Sequence, residues 1–264
     1  MGYKTKIDWC DTSWNPVTGC LHGCEYCYAR RIAERFDGHF GTGGIHRLAE
    51  PIRDVWRDMD TGEIVTGKKE PYPFGFAPTF HGYRLFDPKG WEKPRTIFVC
   101  SMADLFGDWV PDEWIDEVIK ACIKAPHHRY LFLTKNPARY EALYEKGILP
   151  AEGVNGLSEV WLGSSAPTPK TPFFYNRCAR TFVSIEPILQ PFHYTGNGAC
   201  YVDWVIVGAE TGNRKGKVIP KKEWIMEIAD HCRNAGTPLF MKESLREIMG
   251  DDFVQEFPWE VLNE

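Results

Sequence analysis

Three cysteines near the amino terminus have a spacing that suits iron–sulfur chemistry. Cys20, Cys24 and Cys27 form the pattern C-x3-C-x2-C. Three thiolates on one tight loop can hold three corners of a [4Fe–4S] cluster, which leaves the fourth iron open to a cofactor or substrate. Gly19 and Gly23 supply the backbone freedom that such a loop needs.

A structural zinc site is the alternative that the same cysteines allow, with His22 or Cys10 as the fourth ligand. Zinc ligands usually come in two separated pairs, and the sequence has no second closely spaced pair of cysteines. We expect Cys100, Cys122 and Cys232 to be core residues, because they belong to apolar segments. Spacing alone therefore favours the cluster and leaves zinc open.

Six short apolar segments predict β-strands that are covered on both faces. They are Thr96–Cys100, Tyr130–Leu133, Val160–Leu162, Thr181–Val183, Trp204–Val207 and Pro238–Phe240. A shorter strand is predicted near Ser13–Asn15. Helical patterns lie between several of these segments, so we expect an α/β fold with a parallel sheet built from right-handed βαβ units. A partial or complete barrel and a flat doubly wound sheet are both compatible with this order.

Four segments have helical patterns with recognisable ends. They are Tyr28–Phe36, Pro111–Ala125, the segment from Asn136-Pro137 to Gly147, and Lys221–Ala235 with Gly236 as its stop signal.

Polar side chains follow each of the six strands. They are Ser101 and Asp104, Thr134 and Lys135, Ser164 and Ser165, Ser184 and Glu186, Glu210, and Lys242 and Glu243. The active sites of βα barrels are built at the carboxyl ends of the strands. This series therefore favours the barrel and predicts one mouth that the cysteine loop also borders.

The chain is expected to form one domain over residues 1–264, with residues 39–94 as an insertion. The insertion is rich in Gly, Pro and aromatic residues and has little periodicity. Loops of this length are usually functional or disordered, and the aromatic content favours packing. We expect a cap over one end of the barrel.

Composition narrows the class of protein. The chain is 43% hydrophobic with 10 Trp, 16 Phe and 11 Tyr, which excludes global disorder. Its formal net charge of -5 gives no overall basic field for nonspecific nucleic-acid binding. The sequence shows no apolar segment long enough to span a bilayer and no signal peptide, so we expect a cytoplasmic protein with no membrane partner. We expect its nine cysteines to be reduced in that compartment.

The cysteine motif, with Tyr26 at its aromatic position, resembles the signature of the radical S-adenosylmethionine superfamily. The resemblance extends over almost the whole chain to the phage- and prophage-associated branch. The similar segments are Trp14–Cys20, Ser101–Phe106, Leu133–Pro137, Val160–Gly163, Val183–Pro187 and Trp204–Gly208. The chain departs from the branch at Gly107, at Gly208–Thr211 and at Met241–Ser244, where its substrate side is expected.

The resemblance implies a partial (β/α)6-type barrel that carries a [4Fe–4S] cluster and S-adenosylmethionine. It implies reductive cleavage of that cofactor and hydrogen abstraction from a substrate by the 5′-deoxyadenosyl radical. A reductant such as flavodoxin or ferredoxin is the expected partner. The sequence does not define an oligomeric state.

Residue roles follow from the resemblance and from the order of the strands. The cofactor-binding candidates are Tyr26, Ser101, Asp104, Ser164 and Glu186, with Cys20, Cys24 and Cys27 as cluster ligands. The catalytic candidates on the substrate side are Glu210, Lys242 and Glu243. The phosphate- or carboxylate-binding candidates are Lys135 and, on a basic loop without acidic residues, Arg214, Lys215 and Lys217.

The basic loop suits phosphate or a nucleic-acid backbone. Relatives in the resembled branch are linked to remodelling of modified thymine in phage DNA. Isomerisation or hypermodification of a modified thymine nucleotide or DNA base is therefore the first hypothesis, and an isomerase is favoured over a lyase or a transferase. A peptide or small-metabolite substrate, which the acidic net charge favours, and a zinc-binding module without enzymatic activity are the alternatives.

Overall fold

A computed structural model describes residues 5–36, 40–149, 159–193 and 201–261. Within them, seven parallel strands form one sheet whose order follows the chain except for an insertion after the first strand. The strands in the described ranges are β1 (Thr12–Trp14), β2 (Val17–Thr18), β3 (His46–Leu48), β4 (Arg53–Arg57), β5 (Ile64–Lys69), β6 (Thr79–His81), β7 (Thr96–Val99), β8 (Arg129–Thr134), β9 (Val160–Ser165), β10 (Arg180–Ile185), β11 (Trp204–Val207) and β12 (Leu239–Met241).

The large sheet has the order β1-β7-β8-β9-β10-β11-β12 and forms an open half-barrel. The α/β class, the parallel sheet and the half-barrel shape are as predicted. Each predicted strand is present, but β9 and β10 continue to Ser165 and Ile185. Apolar patterning could not show that extension of β9, because Gly163, Ser164 and Ser165 continue the ladder with β10 and β8 through backbone hydrogen bonds.

Six helices are described, and the four predicted ones are among them. They are α1 (Tyr28–Glu34), α2 (Asp112–Ile123), α3 (Ala138–Glu145), α4 (Lys222–Ala235), α5 (Arg246–Met249) and α6 (Pro258–Val261). Gly236 ends α4 in the left-handed conformation at φ 69, as its type predicts. None of the helices in the described ranges is both long and apolar enough to cross a bilayer.

Alternation along the strands divides the core into two layers. Residues such as Val99, Phe132 and Leu162 pack against α2 and α3 on the outer face. The inner face carries an aromatic cluster of Trp9, Phe98, Leu131, Trp161, Phe182, Trp204, Ile206 and Phe240. The buried cysteines Cys100, Cys122 and Cys232 are core residues, as predicted.

The insertion contains four strands that its composition did not reveal, and two of them, β3 and β6, have only three residues and are too short to show periodicity. β3 and β6 form a small sheet with β2, and β4 and β5 form a hairpin. Phe80 in β6 packs against Trp114 of α2 with ring centroids 5.3 Å apart. Residues Phe76 and Ala77 approach the cysteine loop. The first residue of the predicted insertion, His39, lies outside the described residues.

Candidate functional site

The cysteine loop connects β2 to α1 and is held on two sides. The Gly19 amide donates to the Met102 carbonyl at 2.9 Å, and the Cys20 amide donates to the Phe76 carbonyl at 3.3 Å. Met102 follows β7, so this contact fixes the loop at the carboxyl end of the sheet. All three cysteines are half-buried.

Gly19 and Gly23 both have positive φ, at 86° and 69°. A Cβ on Gly19 would lie 2.2 Å from the Ala77 carbonyl oxygen, whereas a Cβ on Gly23 would meet nothing within 4 Å. Gly19 is therefore required for close approach to the insertion, and Gly23 only for its backbone conformation.

The Cys20 thiol has a raised pKa. Burial is the main cause that raises the pKa of Cys20 to about 12, and the neighbouring Asp104, Cys27 and Cys24 add to the increase. The Cys27 sulfur accepts from the Arg30 amide at 3.4 Å and caps α1. Within the described ranges, no three His, Cys, Asp or Glu side chains form a group that could hold a metal ion.

Asp104, predicted to bind a cofactor amino group, is buried and already accepts four hydrogen bonds. The donors are His22 Nε2 at 2.7 Å, Thr134 Oγ1 at 2.7 Å, the Lys135 amide at 2.9 Å and the Phe106 amide at 3.0 Å. An ionised carboxylate offers about four acceptor positions, so Asp104 has none left for an ammonium group.

Ser101 lies beside the cysteine loop, in the segment after β7 that also contains Asp104. Its hydroxyl donates to Asn15 Oδ1 at 3.2 Å, and its carbonyl accepts from the Tyr28 hydroxyl at 2.7 Å. Ser101 thus links the turn between β1 and β2 to the first residue of α1.

Lys135 and Ser165 meet on the inner face of the mouth. Lys135 Nζ donates to Ser165 Oγ at 2.7 Å and to the Tyr26 hydroxyl at 3.4 Å, and it lies 5.4 Å from the centre of the Tyr26 ring. Burial, followed by the nearby Cys24, raises the pKa of Tyr26. Among the described residues, no carboxylate forms an ion pair with Lys135.

Ser164 does not join this group, which corrects its predicted role at the mouth. It is fully buried on the outer face, where its hydroxyl accepts from the Phe174 amide at 2.8 Å. Alternation along β9 directs Ser165 inward with Trp161 and directs Ser164 outward with Leu162.

Glu186 and Lys242 form an ion pair across the mouth between β10 and β12. The Lys242 side chain passes over Gly208, where an added Cβ would lie 2.9 Å from its Cδ atom. Ser184, on the inner face, is buried, and its hydroxyl has no hydrogen-bond partner among the described residues. Ser184 and Glu186 lie at the carboxyl end of β10, and Lys242 follows β12.

The basic loop is folded back on a carboxylate. Arg214 donates to both oxygens of Glu210, at 2.6 and 2.8 Å, and the Glu210 side chain is only 2% exposed. The Arg214 guanidinium lowers the pKa of Glu210. The predicted catalytic carboxylate and the predicted phosphate-binding arginine therefore neutralise each other.

The rest of the basic loop is exposed and reaches α1. Lys215 and Lys217 are exposed, with Lys217 Nζ bonded to the Gly212 carbonyl at 3.1 Å. Arg31 of α1 donates to the Thr211 carbonyl at 3.5 Å, and Arg214 lies 3.4 Å from Glu25 in the cysteine loop. This contact joins segments far apart in the chain, so no local sequence pattern predicts it.

Glu243 lies in the turn that follows Lys242 and β12. Its side chain is 61% exposed and pairs with Arg246, while its amide donates to Asp8 at 2.8 Å. The role of Glu243 on the substrate side stays a prediction.

Two residues that sequence reasoning did not assign to the mouth support the cysteine loop. The His22 ring packs edge-on against Trp109 with centroids 4.9 Å apart. Gly107 leaves room for Trp109, since an added Cβ would lie 2.3 Å from that ring. The only sequence feature that pointed to this contact was Gly107, one of the positions where the chain departs from the resembled branch.

A cleft of about 460 Å³ opens at the other end of the sheet. Its lining includes Trp9, Arg95, His128 and Arg129, and none of the three motif cysteines. The carboxyl-terminal end remains the candidate site, because the cysteines and the polar residues of the strand ends converge there.

A family described as a protein of unknown function, DUF5131, matches residues 4–248. The matched region contains the cysteine loop and all seven strands of the half-barrel. No curated protein and no solved structure matches the chain.

Proposed function

We propose that this chain, which belongs to the DUF5131 family of proteins of unknown function, is a radical S-adenosylmethionine enzyme. The observation that carries the proposal is a loop with three half-buried cysteines at the carboxyl end of an open parallel half-barrel. That combination suits a cofactor that must be both anchored to protein and accessible to substrate.

The donor set fits a [4Fe–4S] cluster better than a structural zinc ion. Each cysteine of a cubane cluster binds a different iron, so its ligands stand farther apart than the ligands of one ion. Zinc needs four converging ligands. Of the two candidates for the fourth ligand, the Cys10 thiol is directed to the Ile7 carbonyl at 3.9 Å, and His22 has its Nε2 atom bonded to Asp104, which leaves only Nδ1 for a metal ion.

Cys20, Cys24 and Cys27 would hold the cluster. Once bound and reduced, the cluster with S-adenosylmethionine supplies a 5′-deoxyadenosyl radical that abstracts hydrogen from substrate.

The polar residues of the mouth orient the cofactor and substrate in this proposal. Lys135, with Ser165 beside it, is the mouth cation suited to a carboxylate or phosphate. Tyr26 offers an aromatic face to adenine, and the Ser184 hydroxyl is a buried partner for a polar group. Glu186 and Lys242 form a polar pair on the opposite rim that can exchange partners when a ligand enters.

We further propose that the substrate is a modified thymine, in a nucleotide or in DNA, and that the reaction is an isomerisation. Lys215 and Lys217 are exposed on a loop that reaches from the mouth to Arg31, which gives a cationic rim suited to phosphates. A flavodoxin or ferredoxin is the proposed electron donor.

A peptide or small metabolite is the second candidate substrate. The pairing of Arg214 with Glu210 favours it, because that pair removes one cation from the basic loop. Deuterium transfer from a labelled substrate into 5′-deoxyadenosine distinguishes the two: transfer from a nucleotide or DNA supports the first, and transfer only from a peptide or metabolite supports the second.

Metal analysis of anaerobically purified protein tests the cofactor. We expect a brown protein that loses its visible absorption and iron in Cys24→Ala but keeps both in the control Cys178→Ala, an exposed cysteine outside the loop. A colourless protein that carries zinc would contradict the proposal.

A further inference from the structure

We infer that Asp104 is a positioning residue that fixes the cysteine loop through His22. The inference rests on the proposed function only for its effect on a bound cluster, because the contacts belong to the protein alone. It replaces the predicted role of Asp104 as a partner of the cofactor's amino group.

The carboxylate of Asp104 joins three parts of the mouth. It accepts from His22 in the cysteine loop, from Thr134 and Lys135 at the end of β8, and from Phe106 in its own segment. Asp104 is 5% exposed, so these four bonds form away from water. Losing one donor or the acceptor would leave buried polar groups unpaired.

His22 is the element of this network that reaches the cluster ligands. It lies between Cys20 and Cys24, and because a carboxylate only accepts, its Nε2 atom is the donor of the 2.7 Å bond. With the ring held at one end, the loop between the two cysteines has fewer conformations.

Trp109 holds the same imidazole from another side. Its ring lies edge-on to His22 at a centroid distance of 4.9 Å, in space that Gly107 leaves open. A hydrogen bond and an aromatic contact from one segment thus define the orientation of His22, as outer-shell partners do for metal ligands.

The same carboxylate ties the cysteine loop to Lys135. The Lys135 amide and the His22 ring bond to the same oxygen, Oδ2. Lys135 Nζ in turn contacts Tyr26, inside the cysteine motif. Asp104 therefore sets the distance between the cysteine loop and the mouth cation.

Hydrogen exchange of the loop amides, measured on metal-free full-length protein, tests the link directly. We expect exchange across residues 20–27 to be roughly 10-fold faster in His22→Leu and near wild type in His22→Gln, whose amide can still donate to Asp104. Leu21→Ala is the matched control, since Leu21 is 57% exposed in the same loop.

Iron retention and the electron paramagnetic resonance spectrum of the reduced cluster give the second readout. We expect His22→Leu and Asp104→Ala to lose iron about 10- to 100-fold faster than wild type, and His22→Gln and Asp108→Ala to resemble wild type. Asp108 lies in the same segment as Asp104, and its carboxylate accepts from the Asn136 side chain at 2.7 Å rather than from His22.

Equal loop exchange and equal iron retention in His22→Leu, His22→Gln and wild type would overturn the inference, whether or not Asp104→Ala folds. A different result would separate the inference from the proposed function. If the wild-type protein binds no iron but loop exchange is still faster in His22→Leu, the inference holds and the proposed function is contradicted.

Discussion

Glu210 and Arg214 define how the loop after β11 is held beside the mouth. The two-point bond joins a carboxylate that is 2% exposed to a guanidinium that is 25% exposed. Such geometry is specific to arginine and a carboxylate, so neither partner can be replaced without releasing the loop.

The pH dependence of stability tests this pair. Arg214 lowers the pKa of Glu210 from its ordinary value of 4.5. A lowered pKa means that the stabilisation is complete above the ordinary value and is lost as the pH falls through the lowered one.

We therefore expect the difference in unfolding free energy between wild type and Glu210→Gln to be largest near about pH 7 and to shrink toward about pH 3. Urea unfolding across this range measures it, with Glu243→Gln as the control for an exposed pair. A difference that stays constant across the range would contradict the assigned pair.

Gly163 is a second residue on which the inner face depends. A Cβ there would lie 2.2 Å from the Phe182 ring. We expect Gly163→Ala to lower the unfolding free energy by about 1–3 kcal/mol through overpacking. Gly43→Ala is the control, because its added Cβ would meet nothing within 4 Å. Equal urea midpoints for the two variants would refute this packing argument.

The residue scale also marks the limit of sequence reasoning. Ser164 and Ser165 were both assigned to the mouth, but only Ser165 faces it. β9 is buried on both faces, so Trp161 and Leu162 give no alternation from which to choose the inner face. The sequence also could not show that Asp104 accepts four hydrogen bonds, because the donors come from three separate segments.

At the scale of elements, the cysteine loop depends on its contact with the insertion. Gly19 and Gly23 form a natural comparison, because both have positive φ but only Gly19 lacks space for a side chain. Alanine substitutions at these two glycines therefore test two effects independently: a steric clash at Gly19, and backbone conformation alone at Gly23.

We expect Gly19→Ala to displace the loop from Ala77 and to lower iron retention at least about 10-fold, since backbone cannot yield to a contact of 2.2 Å. Gly23→Ala should cost only about 1 kcal/mol of backbone strain and retain iron. Iron content and urea unfolding measure both effects. Comparable iron loss in the two variants would show that the insertion does not shape the loop.

The strand and helix order was predictable because each element carries its own apolar pattern. The insertion was not, because β3 and β6 have three residues each and are defined by pairing with each other and with β2. Its role as a cap over the mouth remains a prediction.

At the scale of the whole molecule, the proposed polyanionic substrate needs a local cationic surface on a chain that is acidic overall. The chain has a formal net charge of -5, yet Lys215 and Lys217 lie with Arg31 around one side of the mouth. A polyanionic substrate would be drawn to this rim rather than to the remaining surface.

Salt dependence of DNA binding tests the rim. We expect Lys215→Glu to weaken binding of duplex DNA and to reduce the slope of log affinity against log salt by about 1. Lys124→Glu, an exposed lysine after α2, is the matched control. An unchanged slope in Lys215→Glu, or an equal change of slope in the control, would contradict a role of this cationic rim in substrate binding.

The proposal as a whole depends on one reaction, the reductive cleavage of S-adenosylmethionine. The measurement is 5′-deoxyadenosine formed by anaerobic, reduced, cluster-loaded protein. We expect formation by wild type and by Cys178→Ala, and none by Cys24→Ala. Wild-type protein that holds about four iron atoms per chain but forms no 5′-deoxyadenosine would contradict the proposed function, as would undiminished formation in Cys24→Ala.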